Sequence, residues 1–214
     1  MKREEINIRD PFVLTRNGQY YLYGTRGATC WGPADGFDVY VSRDLENWDG
    51  PFECFHNDGT FWADRNYWAP EVHEYHGKLY MLASFKREDL CRGTAILTAD
   101  DPLGPFVPHS DGRVTPSNWE CLDGTLYVSP DDKPYLVFAR MGAGRRRRNL
   151  RHAAVKRPLP RHRRTEAALP CVRSGMGAAG ASPFQRARRL CDGWPVDVAD
   201  GGRHAAVPVG EFLR

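Results

Sequence analysis

Two aspartates are set apart by what surrounds them. Asp10 lies in Ile8-Arg9-Asp10-Pro11-Phe12-Val13-Leu14, at the head of an apolar, β-branched run. A glycine turn follows, then the aromatic run Gln19-Tyr20-Tyr21-Leu22-Tyr23. That pattern predicts a strand, a hairpin and a second strand, with Asp10 at the entry of the first. Asp123 opens a run of the same kind, Asp123-Gly124-Thr125-Leu126. A single Asp beside a Pro or Gly is most often a turn or cap residue. Two carboxylates at equivalent places in a repeat can instead converge on one axis. A facing pair of carboxyls is the equipment of glycosidic hydrolysis, one acting as acid and the other as base or nucleophile.

The repeat that carries them is legible. Tyr21, Tyr80 and Tyr135 sit in the related runs Gly18-Gln-Tyr-Tyr-Leu-Tyr, Gly77-Lys-Leu-Tyr-Met-Leu and Lys133-Pro-Tyr-Leu-Val-Phe. Upstream of these lie Asp10-Pro11-Phe12-Val13, Ala69-Pro70-Glu71-Val72 and Asp123-Gly124-Thr125-Leu126. The first two units close with a further half-repeat. Val39-Tyr40-Val41-Ser42 leads to Gly50-Pro51-Phe52, and Ala95-Ile96-Leu97-Thr98 leads to Gly104-Pro105-Phe106. Several short strands per unit, without an amphipathic helix, predict an all-β fold of propeller blades. A β-sandwich is the alternative, but it does not require the cassette to recur. Two blades are expected, roughly 8–52 and 67–106, with the opening strands of a third from about 119 to 138. The first strand of each blade lines the central channel, which places Asp10 and Asp123 near one axis.

Composition divides the chain into 1–138, the partial propeller, and 139–214, an irregular basic tail. Residues 1–138 hold 13 Lys and Arg against 22 Asp and Glu, and residues 139–214 hold 17 against 5. All nine Tyr and all three Ile precede residue 139, whereas the tail holds 16 Arg, 13 Ala, 9 Gly and 6 Pro. No apolar run is long enough to span a membrane. No apolar segment follows Met1-Lys2-Arg3-Glu4-Glu5, so no secretory signal is read and a cytoplasmic location is expected. The six Cys (30, 54, 91, 121, 171 and 191) form no C-x-x-C pair and read as isolated reduced thiols. His73-Glu74-Tyr75-His76 lacks metalloprotease spacing and reads as a solvated turn before Gly77. No metal and no cofactor is expected.

Five motifs together resemble glycoside hydrolase family 43, the five-bladed β-propeller enzymes acting on arabinose- and xylose-containing glycans. They are Arg9-Asp10-Pro11, Gly18-x-Tyr20-Tyr21-Leu22, Ser42-x-Asp44-Leu45-x-x-Trp48, Trp68-Ala69-Pro70-Glu71-Val72 and Leu122-Asp123-Gly124-Thr125-Leu126-Tyr127. Their order is the family's order. The resemblance implies an O-glycosyl hydrolase of the inverting α-L-arabinofuranosidase or β-xylosidase type. It implies Asp10 as the general base and Asp123 as the carboxylate that orients the acid and tunes its pKa. Inversion needs acid and base about 6.5–9.5 Å apart, with room for water. The family's acid comes from a later blade. None of the tail's carboxylates, Glu166, Asp192, Asp197, Asp200 and Glu211, has the context for it, so the acid is read as absent. Trp68, Glu71 and Trp31 are candidate substrate contacts, and Trp62 and Tyr67 are weaker candidates for the pocket rim. For Trp68 the alternative is packing between blades, and for Glu71 a local ion pair.

The partner expected is an oligosaccharide or polysaccharide, with no nucleic acid and no membrane; the oligomeric state is left open. A catalytically silent, carbohydrate-binding propeller fragment is the alternative function. Arg145-Arg146-Arg147-Arg148 raises a third reading, a basic-tailed interaction protein. The tail's composition has a further explanation, GC-rich DNA read out of frame. One base downstream, Met141-Gly142 and Met176-Gly177 must each yield Trp, and Trp194-Pro195 must yield Gly. Residues 139–144 can then spell His-Glu-Trp-Val-Gln-Val, a strand-like string. A frameshift close to Phe138–Ala139 is the expectation.

Overall fold

The computed structural model describes residues 1–141, 204–210 and 213. Among these a short 3-10 turn, Arg3–Glu5, precedes eleven strands. Strands β1 (Ile8–Arg16), β2 (Gln19–Arg26), β3 (Gly36–Ser42) and β4 (Trp48–His56) form an antiparallel sheet in that order. Strands β5 (Arg65–Tyr75), β6 (Lys78–Lys86), β7 (Gly93–Ala99) and β8 (Val107–Pro108) repeat the arrangement. Strands β9 (Cys121–Val128), β10 (Pro134–Arg140) and β11 (His204–Pro208) make a third sheet, ordered β11-β10-β9. These are two full propeller blades and three strands of another.

Local sequence explains the hairpins. Asn17-Gly18 and His76-Gly77 take positive φ (52° and 73°, 49° and 79°), the geometry that matches a two-residue turn to the twist of its strands. Ser42-x-Asp44-Leu45-x-x-Trp48 is a turn device. The Ser42 hydroxyl accepts the Asp44 and Leu45 amides, and Asp44 Oδ1 accepts those of Glu46 and Asn47. Hydrogen bonds from Asn47 and Glu46 hold the Asp44 carboxyl well below the usual carboxylate range.

Strand β6 explains how the blades stack. Leu79, Met81, Ala83 and Phe85 point into the core shared with the first blade, beside Tyr23, Phe37, Phe55 and Tyr67. Tyr80 and Leu82 point the other way, into a core with Leu126, Leu136 and Phe138 of the third blade. A strand buried on both faces must read as a continuous apolar run, which is what Leu79–Phe85 does. Each large side chain buried this way contributes about 1.5–3 kcal/mol.

Three expectations are corrected. His73, Glu74 and Tyr75 are strand, not turn, because β5 runs to Tyr75 and only His76-Gly77 makes the reversal. Tyr67 is core, its hydroxyl donating to the Ala63 carbonyl at 2.6 Å, and Trp62 packs against the same core. Tyr67 precedes Trp68 on one strand, so the two must face opposite sides. The tail reading falls mostly outside the described residues. Within it, His204–Pro208 pairs with β10, and Val209 and Leu213 enter the second core. Ala205-Ala206-Val207 supplies apolar, strand-compatible residues to an edge that otherwise carries unpaired amides and carbonyls.

Candidate active site

Asp10, Ala69 and Asp123 have the same backbone geometry. Their φ values are 50°, 47° and 54°, in the left-handed region that few non-glycine residues adopt. Each lies where the pairing with the next strand slips: between Arg9 and Phe12, between Trp68 and Glu71, and opposite the Val137–Ala139 step. These are β-bulges, which bend a strand and re-aim a side chain. The sequence repeat is therefore matched residue for residue. Asp10 and Asp123 are exposed at the head of the first and third blades, and Ala69 stands between them. After Asp123 a glycine is needed, because a Cβ on Gly124 would meet Thr94 Oγ1 at 2.5 Å.

The inner strands converge on His73. Its ring lies 5.2 Å from that of Phe12, and its Nε2 is 3.1 Å from Glu71 Oε2 and 3.5 Å from Thr125 Oγ1. Phe12 and Thr125 each follow an aspartate, Asp10 and Asp123, by two residues, so β1, β5 and β9 line one channel with the aspartates at its head. Glu71 is engaged here with His73, which is the local pairing weighed for it.

A second layer of contacts ties each aspartate to the second blade. The buried Thr25 hydroxyl donates to Asp10 Oδ2 at 2.9 Å and accepts the Ala69 amide at 2.8 Å. The Asp123 amide donates to the buried Ser84 hydroxyl at 3.0 Å. Thr25 and Ser84 are register equivalents, opposite Arg9 on β1 and Trp68 on β5.

Aromatic and cationic groups flank the channel head. Trp31 is 71% exposed, its ring 5.4 Å from that of Trp68, with the Arg9 guanidinium 5.1 Å from its centroid. Trp68 is half-buried, donates its indole N–H to the Cys30 carbonyl, and carries the Arg92 guanidinium 3.5 Å from its centroid. Arg92 is only 7% exposed. Burial pulls it below the usual arginine range, while the negative charges of Glu120 and Asp123 act the other way. Burial would raise the Glu120 carboxyl, but Lys86 at 2.9 Å and the Arg92 amide at 2.9 Å outweigh it and hold it below its ordinary value. Arg92, Thr25 and Ser84 are site residues that the sequence did not single out. Their roles arise from contacts between blades, which no local motif encodes. The repeat phase was the one available signal, since it aligns Thr25 with Ser84.

Among the described residues no group of three His, Cys, Asp or Glu side chains is placed to hold an ion. Cys30, Cys54, Cys91 and Cys121 are free thiols. The tail carboxylates Glu166, Asp192, Asp197, Asp200 and Glu211 all lie outside the described residues. The arrangement offers an exposed carboxylate fixed at one oxygen, a second carboxylate beside a buried cation, and an exposed indole.

Comparison with known proteins agrees with this geometry. The model of glycosyl hydrolases family 43 matches residues 5–164. Extracellular endo-alpha-(1->5)-L-arabinanase 1 of Bacillus subtilis (strain 168) is 26% identical over 159 residues, covering 70% of this chain and 48% of that protein. The endo-arabinase from Bacteroides thetaiotaomicron VPI-5482 is 36% identical over 65% of this chain and 48% of its own, with a TM-score of 0.59. A thermostable family-43 glycoside hydrolase is 28% identical over 63% of this chain and 42% of its own, with a TM-score of 0.54. The chain spans about half the length of the curated relative and of the solved structure it matches at 36% identity. With its blades, its repeated bulges and its matching family model, the chain belongs to glycosyl hydrolases family 43.

Proposed function

We propose that the protein is a glycosidase for pentose-containing glycans, of the inverting arabinofuranosidase or xylosidase type, with Asp10 as general base. The observation that carries this reading is the shared bulge that sets Asp10 and Asp123 at the head of one channel. Asp10 Oδ2 is tied to Thr25, and its other oxygen takes the proton of the attacking water. Asp123, beside the Arg92 cation, orients the acid that protonates the leaving oxygen. Trp31 offers an exposed aromatic face for a sugar ring, and Trp68 supports it from the side. The arabinanase names of two relatives support a pentose glycan as substrate.

Cleavage by this chain is impaired in our reading, because none of its residues is assigned the role of acid. Leaving groups that depart without protonation escape that defect. The test is hydrolysis of 2,4-dinitrophenyl α-L-arabinofuranoside and β-xyloside beside unactivated arabino- and xylo-oligosaccharides. Expected is turnover of an activated glycoside that Asp10→Asn removes, with negligible cleavage of the oligosaccharides. Robust oligosaccharide cleavage would refute the impairment. Full activity of the Asp10→Asn variant would refute the assignment of the base. With no residue assigned as acid, a second reading is a carbohydrate-binding fragment. Saturable oligosaccharide binding without turnover of either activated glycoside would select it. A frameshift near Phe138–Ala139 would account for the unassigned acid. Resequencing across codons 136–142 tests it, and a clean frame without a single-base run or ambiguity would count against it.

A further inference from the structure

We infer that Thr25 is the positioning residue of Asp10, and that the docking of the second blade on the first sets it; this rests on the reading of Asp10 as base. A hydroxyl has one hydrogen to give and two lone pairs to receive. The Ala69 amide has its own hydrogen to donate and occupies one lone pair of Thr25 Oγ1 at 2.8 Å. The Thr25 hydrogen then goes to Asp10 Oδ2, at 2.9 Å. Asp10 Oδ1 has no hydrogen-bond partner among the described residues, so it is the oxygen left to meet water. Thr25 is 1% exposed, and its β-branched side chain has few rotamers to choose from. The carboxylate is thus held by a group that cannot swing away, and the amide fixing that group belongs to the next blade.

The repeat supplies its own control. Ser84 occupies the same register position one blade on and accepts the Asp123 amide at 3.0 Å. The head residue of its own blade is Ala69, which has no carboxylate to receive a hydroxyl hydrogen. Docking is therefore common to both hydroxyls, whereas the bond to a carboxylate exists only where the blade's head residue is Asp10. A merely architectural hydroxyl accounts for the first bond and leaves the second unexplained. In the third blade the equivalent position, opposite Leu122, is Ala139, which offers neither bond.

The experiment uses the full chain with an activated aryl α-L-arabinofuranoside or β-xyloside, whichever the wild type cleaves. Wild type, Thr25→Val, Thr25→Ser and Asp10→Asn are compared for kcat and KM, with folding checked by circular dichroism. Expected for Thr25→Val is a fall in kcat of about 10- to 100-fold, the scale of a misplaced catalytic group, with KM unchanged. Thr25→Ser, which keeps the hydroxyl, restores most of kcat. If Thr25→Val does not fold, Thr25→Cys, which keeps a weaker donor, is read in its place with the same expectation. An unchanged kcat for folded Thr25→Val, or for Thr25→Cys where it stands in, or a rise in KM alone, overturns this inference while leaving Asp10 as the base if Asp10→Asn is inactive. Full activity of Asp10→Asn overturns the base and the inference together, as does absence of turnover by the wild type.

Discussion

Asp10 and Asp123 head the channel because each takes a backbone conformation that aspartate tolerates better than most residues and alanine tolerates poorly. Ala69 holds the same geometry with no carboxylate to justify it. Replacing Ala69 by Gly should therefore raise stability by about 1 kcal/mol, the cost of a Cβ in the left-handed region. Urea unfolding checks this, and a loss of stability would mean that Ala69 is not strained. The two aspartates were legible in the sequence because a repeat gives a residue a place as well as a type. Arg92 was not, because its meaning comes from Trp68, Glu120 and Asp123, which meet it only when the blades stack. Tyr67 is core rather than rim because residue type alone cannot tell an aromatic that faces a core from one that faces a ligand. The buried thiols argue at the same scale. Burial pushes the Cys121 thiol up to about 11 and Cys54 higher still, so both stay protonated at neutral pH. Neither should react with iodoacetamide until the chain unfolds, a result that mass spectrometry of the labelled protein can contradict.

Elements are tied together by groups the motifs did not include. Arg26 on β2 donates to Asp38 on β3 at 2.9 and 2.6 Å, to Glu53 on β4 at 2.8 Å and to Asp35 at 2.8 Å. The Arg26 and Asp38 side chains are each 19% exposed, so removing the cation strands a largely desolvated carboxylate. Arg26→Ala should cost about 3 kcal/mol. Glu53 adds a pH dependence. Its bond to Arg26 outweighs burial and lowers its pKa. A carboxyl whose folded pKa is depressed contributes stability above its unfolded pKa of about 4.3, and that contribution is lost as pH falls through the folded value. Stability should hold from about pH 7 to pH 5 and fall below about pH 4. Arg26→Ala should start lower and lose less on acidification, because Glu53 has already lost its bond to Arg26 and keeps only His56. Parallel titration curves for the two proteins would show that Glu53 plays no part. Hairpin positions and strand order were legible element by element, because Asn17-Gly18 and Gly77 carry the turn signal. The bulges were not, since slipped pairing depends on which residue lies opposite.

At the scale of the molecule, stability rests on two cores between three blades, and the second borrows from the far end of the chain. Val209 and Leu213 are buried with Tyr80, Leu82, Leu136 and Phe138, and the Val209 amide donates to the Pro134 carbonyl at 3.0 Å. Composition gave no hint of this, because the residues around them belong to an Arg-, Ala- and Gly-rich stretch that matches no blade motif. Physics does not require a native strand there. An open edge on β10 accepts any short apolar segment that can extend, and Ala206-Val207-Pro208-Val209 is such a segment. The frameshift reading and the observed pairing are therefore compatible: a peptide of accidental sequence can still close an edge. The pairing makes a measurable demand on the second core. Leu213→Ala removes a buried side chain and should cost about 2–5 kcal/mol in urea unfolding, like other Leu truncations in a core. Val207→Thr, on β11 and only partly buried, should cost far less. Equal stabilities for wild type and Leu213→Ala would mean that the C-terminal segment does not hold the third blade, leaving the core of the first two to carry the fold.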